Sequence, residues 1–553
     1  MTTIDTRADT AASNDGSSAI VSFFAGAASW VVTTDHKRIG RLYLGFGMLV
    51  LAGAAVLGVL LGLERADESS ALVDADALLQ MFQAYRVGLV FGAILPLALG
   101  LSIAVAPLQL GARSIAFPRV ALLGFYSWLG GLALTMAALA ANGGIGGGDA
   151  DAVDLFLAGH GLMILGLLAS AGCVATSVLT TRAPGMTMRR VPLFAWSALI
   201  GALGMLLVLP VAFGLIIYLF LDHRYAQLNF GGSEGIAVWL GWVYTVPTVA
   251  VFSLPAIGLA AETIPVSFRS RQVLRGVTFA GIALIGVTAL AAVTQQFIHE
   301  VTIDTTGQVF VEGVVPMLMF TGLPVLGVLM VMGLGALTAK NGLSDGRPRV
   351  SAPFVFGFLG LGMITVGLLG NLLQSITDLE LAGTTFEEGA TLYVVYGTAL
   401  AVMGGIVFWA PKLWGRVLPD KQVLPLALLG VLGTVLAALP LYVAGFLDQA
   451  GGLPTNDADV AATLAIDGVE GEAIWTILSL AGHGLFALTI VAFAGLMLKT
   501  FTGDGEEVAE NPYGGQTVEW GTSSPAPAHN YDHVVTVASP SPEFDKMLEG
   551  SQS

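Results

Sequence analysis

The chain has 553 residues, 55% of them apolar and only 11% charged, and 71 are glycine. Soluble proteins carry about a quarter of their residues as charges, so this composition excludes a soluble multidomain protein and indicates one that lives in a bilayer. A net charge of −16 argues against nucleic-acid binding, and the single cysteine, Cys173, excludes a disulfide framework or a multi-thiolate metal site.

In chain order, residues 1–28 are rich in Ala, Ser, Thr and Asp and read as a disordered tail. Twelve apolar stretches then follow, at about 40–63, 84–109, 119–141, 155–180, 192–221, 236–261, 276–298, 313–339, 352–374, 391–410, 422–446 and 473–501. Each is long enough to cross roughly 30 Å of hydrocarbon as a helix, and helix is the form that pairs its own backbone in lipid. The predicted architecture is an all-α integral membrane bundle of twelve helices over 29–501, followed by an extended tail over 502–553.

The loops orient the bundle. Alternate connections and the two terminal segments hold 20 of the 23 basic residues, among them Lys37, Arg113, Arg190, Arg271, Lys340 and Lys412. The positive-inside rule therefore places both termini in the cytoplasm of a bacterial inner-membrane protein. The opposite loops, such as Glu64–Asp76 and Asp448–Glu472, are acidic, which reads first as a solvated surface obeying the topology and second as one that would attract a basic electron carrier at low ionic strength.

Several strings carry a family resemblance. They are Trp30-Val-Val-Thr-Thr-Asp-His-Lys-Arg-Ile-Gly-Arg-Leu-Tyr43, Pro107-Leu-Gln-Leu-Gly-Ala-Arg113, Leu254-Pro-Ala-Ile-Gly-Leu-Ala-Ala-Glu-Thr-Ile-Pro265 and Phe408-Trp-Ala-Pro-Lys-Leu-Trp-Gly415. The tail adds Asn511-Pro-Tyr-Gly514, Thr517-Val-Glu-Trp520 and His529-Asn530. In this order they resemble subunit I of the haem–copper terminal oxidases, such as cytochrome c oxidase. The resemblance implies a twelve-helix fold, two haems, one copper, and partner subunits of the II and III kind.

It also implies six histidine ligands, because neutral imidazole holds iron or copper in lipid without adding charge. The seven histidines here are His36, His160, His223, His299, His483, His529 and His533, and none falls where the resemblance requires a ligand. Those positions are occupied by Ala84 or Tyr85 in the second span, Val246 in the sixth, Gln295 and Gln296 in the seventh, and Gly389 and Thr391 in the tenth. The positions of the proton-carrying carboxylate, the crosslinked tyrosine and the proton-path lysine hold Thr248, Ala250 and Val328. The expectation is therefore a chain without catalytic, cofactor-binding or metal residues, carrying no haem or copper.

An empty haem slot would cost on the order of 20 cal/mol per Å³, so the interior is expected to close. The polar residues left at membrane depth are Arg86, His160 and His483, together with the glutamine pair. The histidines are expected to bond neighbouring helices, and Arg86 to snorkel toward Asp74 or Asp76. The leading reading is a non-catalytic scaffold or accessory subunit of the respiratory chain. An active terminal oxidase and a membrane transporter or channel are the alternatives.

Overall fold

The computed structural model describes residues 28–66, 73–227, 229–293, 314–449, 451, 472–503 and 508–552. The N-terminal tail, most of the acidic loop before the last span, and Gln295 and Gln296 lie outside them.

Among the described residues eleven helices are long and apolar enough to cross a membrane. In chain order they begin with α1 (His36–Ala66), and α2 follows as Ala75–Val87, a π-helical stretch Gly88–Ile94 and Leu95–Gln109. Next come α3 (Pro118–Ala140), α4 (Ala150–Thr180) and α5 (Leu193–Arg224). After the sixth crossing lie α7 (Arg275–Gly286, continued by Ala289–Val293) and α8, whose long part is Leu323–Asp345. The rest are α9 (Ala352–Gln374), α10 (Thr385–Trp414), α11 (Asp420–Phe446) and α12 (Glu472–Thr502).

The sixth crossing, α6, differs from the single helix predicted. It runs as Gly235–Leu240, a tight turn Gly241–Tyr244, then Thr248–Phe252 and Leu254–Ser267. Thr245 is extended, at φ −117° and ψ 166°. Pro247 has no N–H to give a helix and its ring crowds the preceding backbone, so the break falls where hydropathy alone is continuous.

Two helices form the centre. The apolar segments of α2 and α10 are 100% buried, against 39–61% for the other nine spans, which also face lipid. Small residues bring the outer helices close. A side chain on Gly131 of α3 would strike the backbone of Met163 on α4, and one on Gly360 of α9 would strike that of Gly397 on α10. Without a hydrophobic drive between helices in lipid, such close approach supplies much of the packing energy.

The predicted extended tail crosses the end of the bundle where the basic loops lie, here called the basic face. It contains a tight turn Val518–Gly521 and closes in a helix, α13 (Pro542–Gln552). Pro542 occupies the first helical position and Glu543 and Asp545 its first turn, a favourable start for a helix.

Candidate functional site

Of the positions where the oxidase ligands were expected, Tyr85 and Thr391 border one cavity at the junction of α2, α6 and α10, with Val246 next in the chain to Thr245 of its lining, while Gln295 and Gln296 lie outside the described residues. Tyr85 is 1% exposed and Thr391 7% exposed, with Gly389, Ala390 and Leu392 packed around the latter on α10. Phe82, Tyr85, Leu89 and Val90 of α2 face Tyr244 and Thr245 of α6 and Thr391 and Leu392 of α10, leaving a cavity of about 40 Å³. A water needs about 10–15 Å³ measured this way, so the space is water-sized. The slot between α2 and α10 is closed by side chains, Val246 is buried at the α6 break, and Val328 is buried on α8.

The cavity gathers charge that the sequence reading did not place together. Arg86, Glu387 and Glu388 all line it. Arg86 does not turn toward Asp74, which instead accepts from the Ala77 N–H at 2.8 Å and caps α2. Its guanidinium lies over the rings of Phe82, at 5.6 Å, and Tyr244, at 5.7 Å. Ring faces stabilise a cation that is partly removed from water, and this contact replaces the snorkelling predicted. The Thr391 hydroxyl has no hydrogen-bond partner among the described residues.

Both interior histidines bond tyrosines on neighbouring elements. His483 Nδ1 of α12 is 2.7 Å from the Tyr396 hydroxyl of α10, and its ring stands edge-on to Tyr85 at 5.9 Å. Gly58 of α1 makes room, since a Cβ there would sit 2.8 Å from His483 Nδ1. His160 Nε2 of α4 is 3.3 Å from the Tyr244 hydroxyl, with Phe156 and Phe91 on its ring at 5.6 and 4.7 Å. Its Nδ1 has no partner among the described residues. Tyr244 and Tyr396 were missed in the sequence because each lies inside its crossing, on an element distant in the chain from the histidine it bonds.

A second polar cluster lies on the basic face, and the strings that carry the resemblance build it. Asn530 of the tail donates to the Ala112 carbonyl at 2.8 Å and meets His36 Nε2 at 2.9 Å, while the other His36 nitrogen lies 2.9 Å from the Ile103 carbonyl. Lys37 donates to Asn530 Oδ1 and to the Pro527 carbonyl, both at 3.0 Å. Lys412 at the end of α10 donates to the Thr522 carbonyl. Gln516 donates to the Pro265 and Ser270 carbonyls at 3.1 and 3.0 Å, pinning the tail to the end of α6.

Glu519 is the centre of this clasp. It is fully buried, and its Oε1 accepts from Thr517 at 2.7 Å and from Gln109 and Trp409 at 3.2 Å each. Its Oε2 has no partner among the described residues. Burial pushes its carboxyl above the usual carboxylate range, against the opposing pull of those hydrogen bonds. Gln109 extends the network by accepting from the Ala195 N–H at 3.1 Å, which joins α2 to α5.

The family model described as Cytochrome C and Quinol oxidase polypeptide I matches residues 38–485. A putative cytochrome c oxidase subunit 1-beta of Streptomyces coelicolor is 30% identical, with 93% of this chain and 90% of that protein covered. The cytochrome c oxidase subunit 1 of Corynebacterium glutamicum is 27% identical, with 94% and 89% covered. Among solved structures, one described as a heme-copper terminal oxidase dimer superposes with a TM-score of 0.66 at 15% identity, over 94% of this chain and 90% of that one. At that identity the likeness is one of fold.

These matches overturn one expectation, that haem and copper do not belong to this chain, because the relatives are cytochrome c oxidase subunits I and the fold is that of a heme-copper oxidase. The expectation had treated missing histidines as missing cofactors, and those are different statements. The donor set does not fit either group as the family holds it. Ala84 or Tyr85, Val246, Gly389 and Thr391, the described residues at the ligand positions that the resemblance implies, offer no imidazole; Tyr85 and Thr391 border a water-sized space, and no group of three or more His, Cys, Asp or Glu side chains with metal-holding geometry occurs among the described residues. Tyr85, His483 and Glu388, side chains with nitrogen or oxygen donors, border a second small space near the α2–α10 junction. With a family model covering most of its length, the chain is a multi-pass membrane protein belonging to the cytochrome c and quinol oxidase polypeptide I family.

Proposed function

We propose that the chain is a non-catalytic, subunit I-like scaffold of a respiratory oxidase assembly. One contrast supports this reading: the positions where the resemblance implies ligands and proton carriers hold residues that supply neither, while the residues that close the fold form a hydrogen-bonded clasp. Val246, Gly389 and Thr391 offer iron and copper no imidazole, and Thr248 and Val328 offer no carboxylate or lysine for a proton route. The clasp of His36, Lys37, Gln109, Trp409, Lys412, Glu519 and Asn530 is intact. A scaffold needs the second set and not the first.

In this reading the basic face lies in the cytoplasm with both tails, and the membrane domain docks oxidase subunits of the II and III kind. The acidic face is left to meet a basic cytochrome c. The test is affinity purification of the full chain from its native membrane. Stoichiometric recovery of other oxidase subunits is expected, and expression of the chain in a strain lacking terminal oxidases should not restore respiration. Restored respiration would contradict the reading.

One observation favours a second reading as a transporter. Glu387 and Glu388 share a cavity with Arg86 and supply two carboxylates to it. Proton flux in liposomes, abolished by Glu388→Gln, would support it over the scaffold.

A further inference from the structure

Away from both clusters, an apolar groove of about 630 Å³ opens between the last segment of α6, α8 and α9. Its floor is a run of small residues on α8, including Gly333, Ala336 and Ala339, and its wall is aromatic. Phe354 stacks on Phe358 at 5.8 Å, and Phe268 stands edge-on to Phe354 at 5.6 Å. Phe358 is 46% exposed, so the wall faces outward rather than into the core.

The end of this groove at the basic face carries two cations. Lys340 lines it, and Arg269 follows Phe268 directly in the chain. The segment holding Arg269 lies against the end of α8, because Ser270 donates to the Thr338 carbonyl at 3.1 Å and a side chain on Gly342 would strike the Phe268 carbonyl. Both cations are exposed, and among the described residues neither has a carboxylate within 4.0 Å. Their neighbours differ. Arg271 pairs with Asp545, and Arg349 donates to the Pro512 carbonyl at 2.7 Å.

An elongated apolar groove that ends in two unmatched cations on the basic face has the polarity of one kind of ligand. We infer that this groove binds an anionic phospholipid, with an acyl chain along Gly333–Ala339 and the phosphate between Lys340 and Arg269. Basic pockets between membrane helices recognise anionic head groups in this way, and small residues leave the room for the chain. A partner helix would cover the same apolar floor but would leave both cations unanswered unless it brought acidic residues of its own.

The test is native mass spectrometry of the full chain in detergent with added dioleoyl phosphatidylglycerol or phosphatidylcholine, with a thermal-shift assay beside it. One phosphatidylglycerol per chain should be retained about tenfold over phosphatidylcholine, and it should raise the melting temperature where inorganic phosphate does not. Lys340→Glu with Arg269→Glu should abolish the preference for phosphatidylglycerol, while Ala336→Phe should reduce retention of both lipids. The wild-type thermal shift stands without either variant. Equal retention of the two lipids, the same shift from free phosphate, unchanged retention in both variants, or a co-purified subunit that crosslinks at position 336 and excludes lipid would overturn the inference.

Discussion

The centre of the bundle and its basic face have parted company. At the centre, α2, α6 and α10 keep their places, yet the side chains there are Tyr85, Val246, Gly389 and Thr391, and polar atoms such as the Thr391 hydroxyl and His160 Nδ1 lack partners. At the basic face, His36, Lys37 and Asn530 answer one another across the length of the chain, although the Glu519 Oε2, the Trp520 Nε1 and the Tyr513 hydroxyl have no hydrogen-bond partner among the described residues. Buried polar groups are costly unless paired, so the linked bonds of His36, Lys37 and Asn530 mark contacts on which the fold depends. A region where hydroxyls sit unanswered beside aliphatic replacements carries no such dependence. The contrast separates the hydrogen-bonded residues that build the fold from the positions where the resemblance implies the oxidase ligands.

Substitutions can break that contrast. Asn530→Ala should have the largest effect, because it strips partners from the buried His36 and Lys37 together. The expected cost is about 3 kcal/mol or more, read as a lower melting temperature in detergent and faster proteolytic release of the tail. A small effect would mean that the clasp does not hold the fold. Tyr396→Phe removes the 2.7 Å partner of His483 and should cost about 1–2 kcal/mol in the same assay.

The pH dependence sharpens the comparison. Burial raises the Glu519 carboxyl, so the folded state holds its proton more tightly than the unfolded chain. The contribution of Glu519 is therefore fully present below its unfolded value of about 4.3, and is lost as pH rises through the raised value. Tail attachment, followed by tryptophan fluorescence of Trp520, should weaken over that window, and Glu519→Gln should flatten the slope. Attachment that strengthens with rising pH would contradict this assignment. The smallest effect is expected at the centre, where Thr391→Val exchanges an unpartnered hydroxyl for a methyl. It should be neutral or stabilising by up to about 1 kcal/mol, and a loss larger than that would reveal a partner for the hydroxyl.

Much of this was legible in the sequence. Eleven of the twelve crossings follow from apolar length alone, and the resemblance strings could be read before it was known that they meet. Their meeting was not legible, because Asp35-His36-Lys37 and His529-Asn530 lie almost the whole chain apart and only tertiary packing joins them. The break in α6 was hidden because hydropathy sees Pro247 as another apolar position and not as a missing donor. The direction of Arg86 was misread for a related reason. Sequence distance favoured Asp74, while the rings that receive the guanidinium include Tyr244, brought in by another element. The step from absent histidines to absent cofactors failed because ligand identity at aligned positions does not determine what else a membrane interior can hold.

The central claim is tested most directly by oxygen uptake of the full chain, purified with whatever subunits accompany it, using reduced cytochrome c as donor and normalising to the haem and copper measured in the same sample. The account predicts no turnover attributable to this chain, with uptake unchanged when Tyr85 and His483 are replaced by phenylalanine and alanine. Sustained oxygen reduction that disappears with either replacement would contradict it.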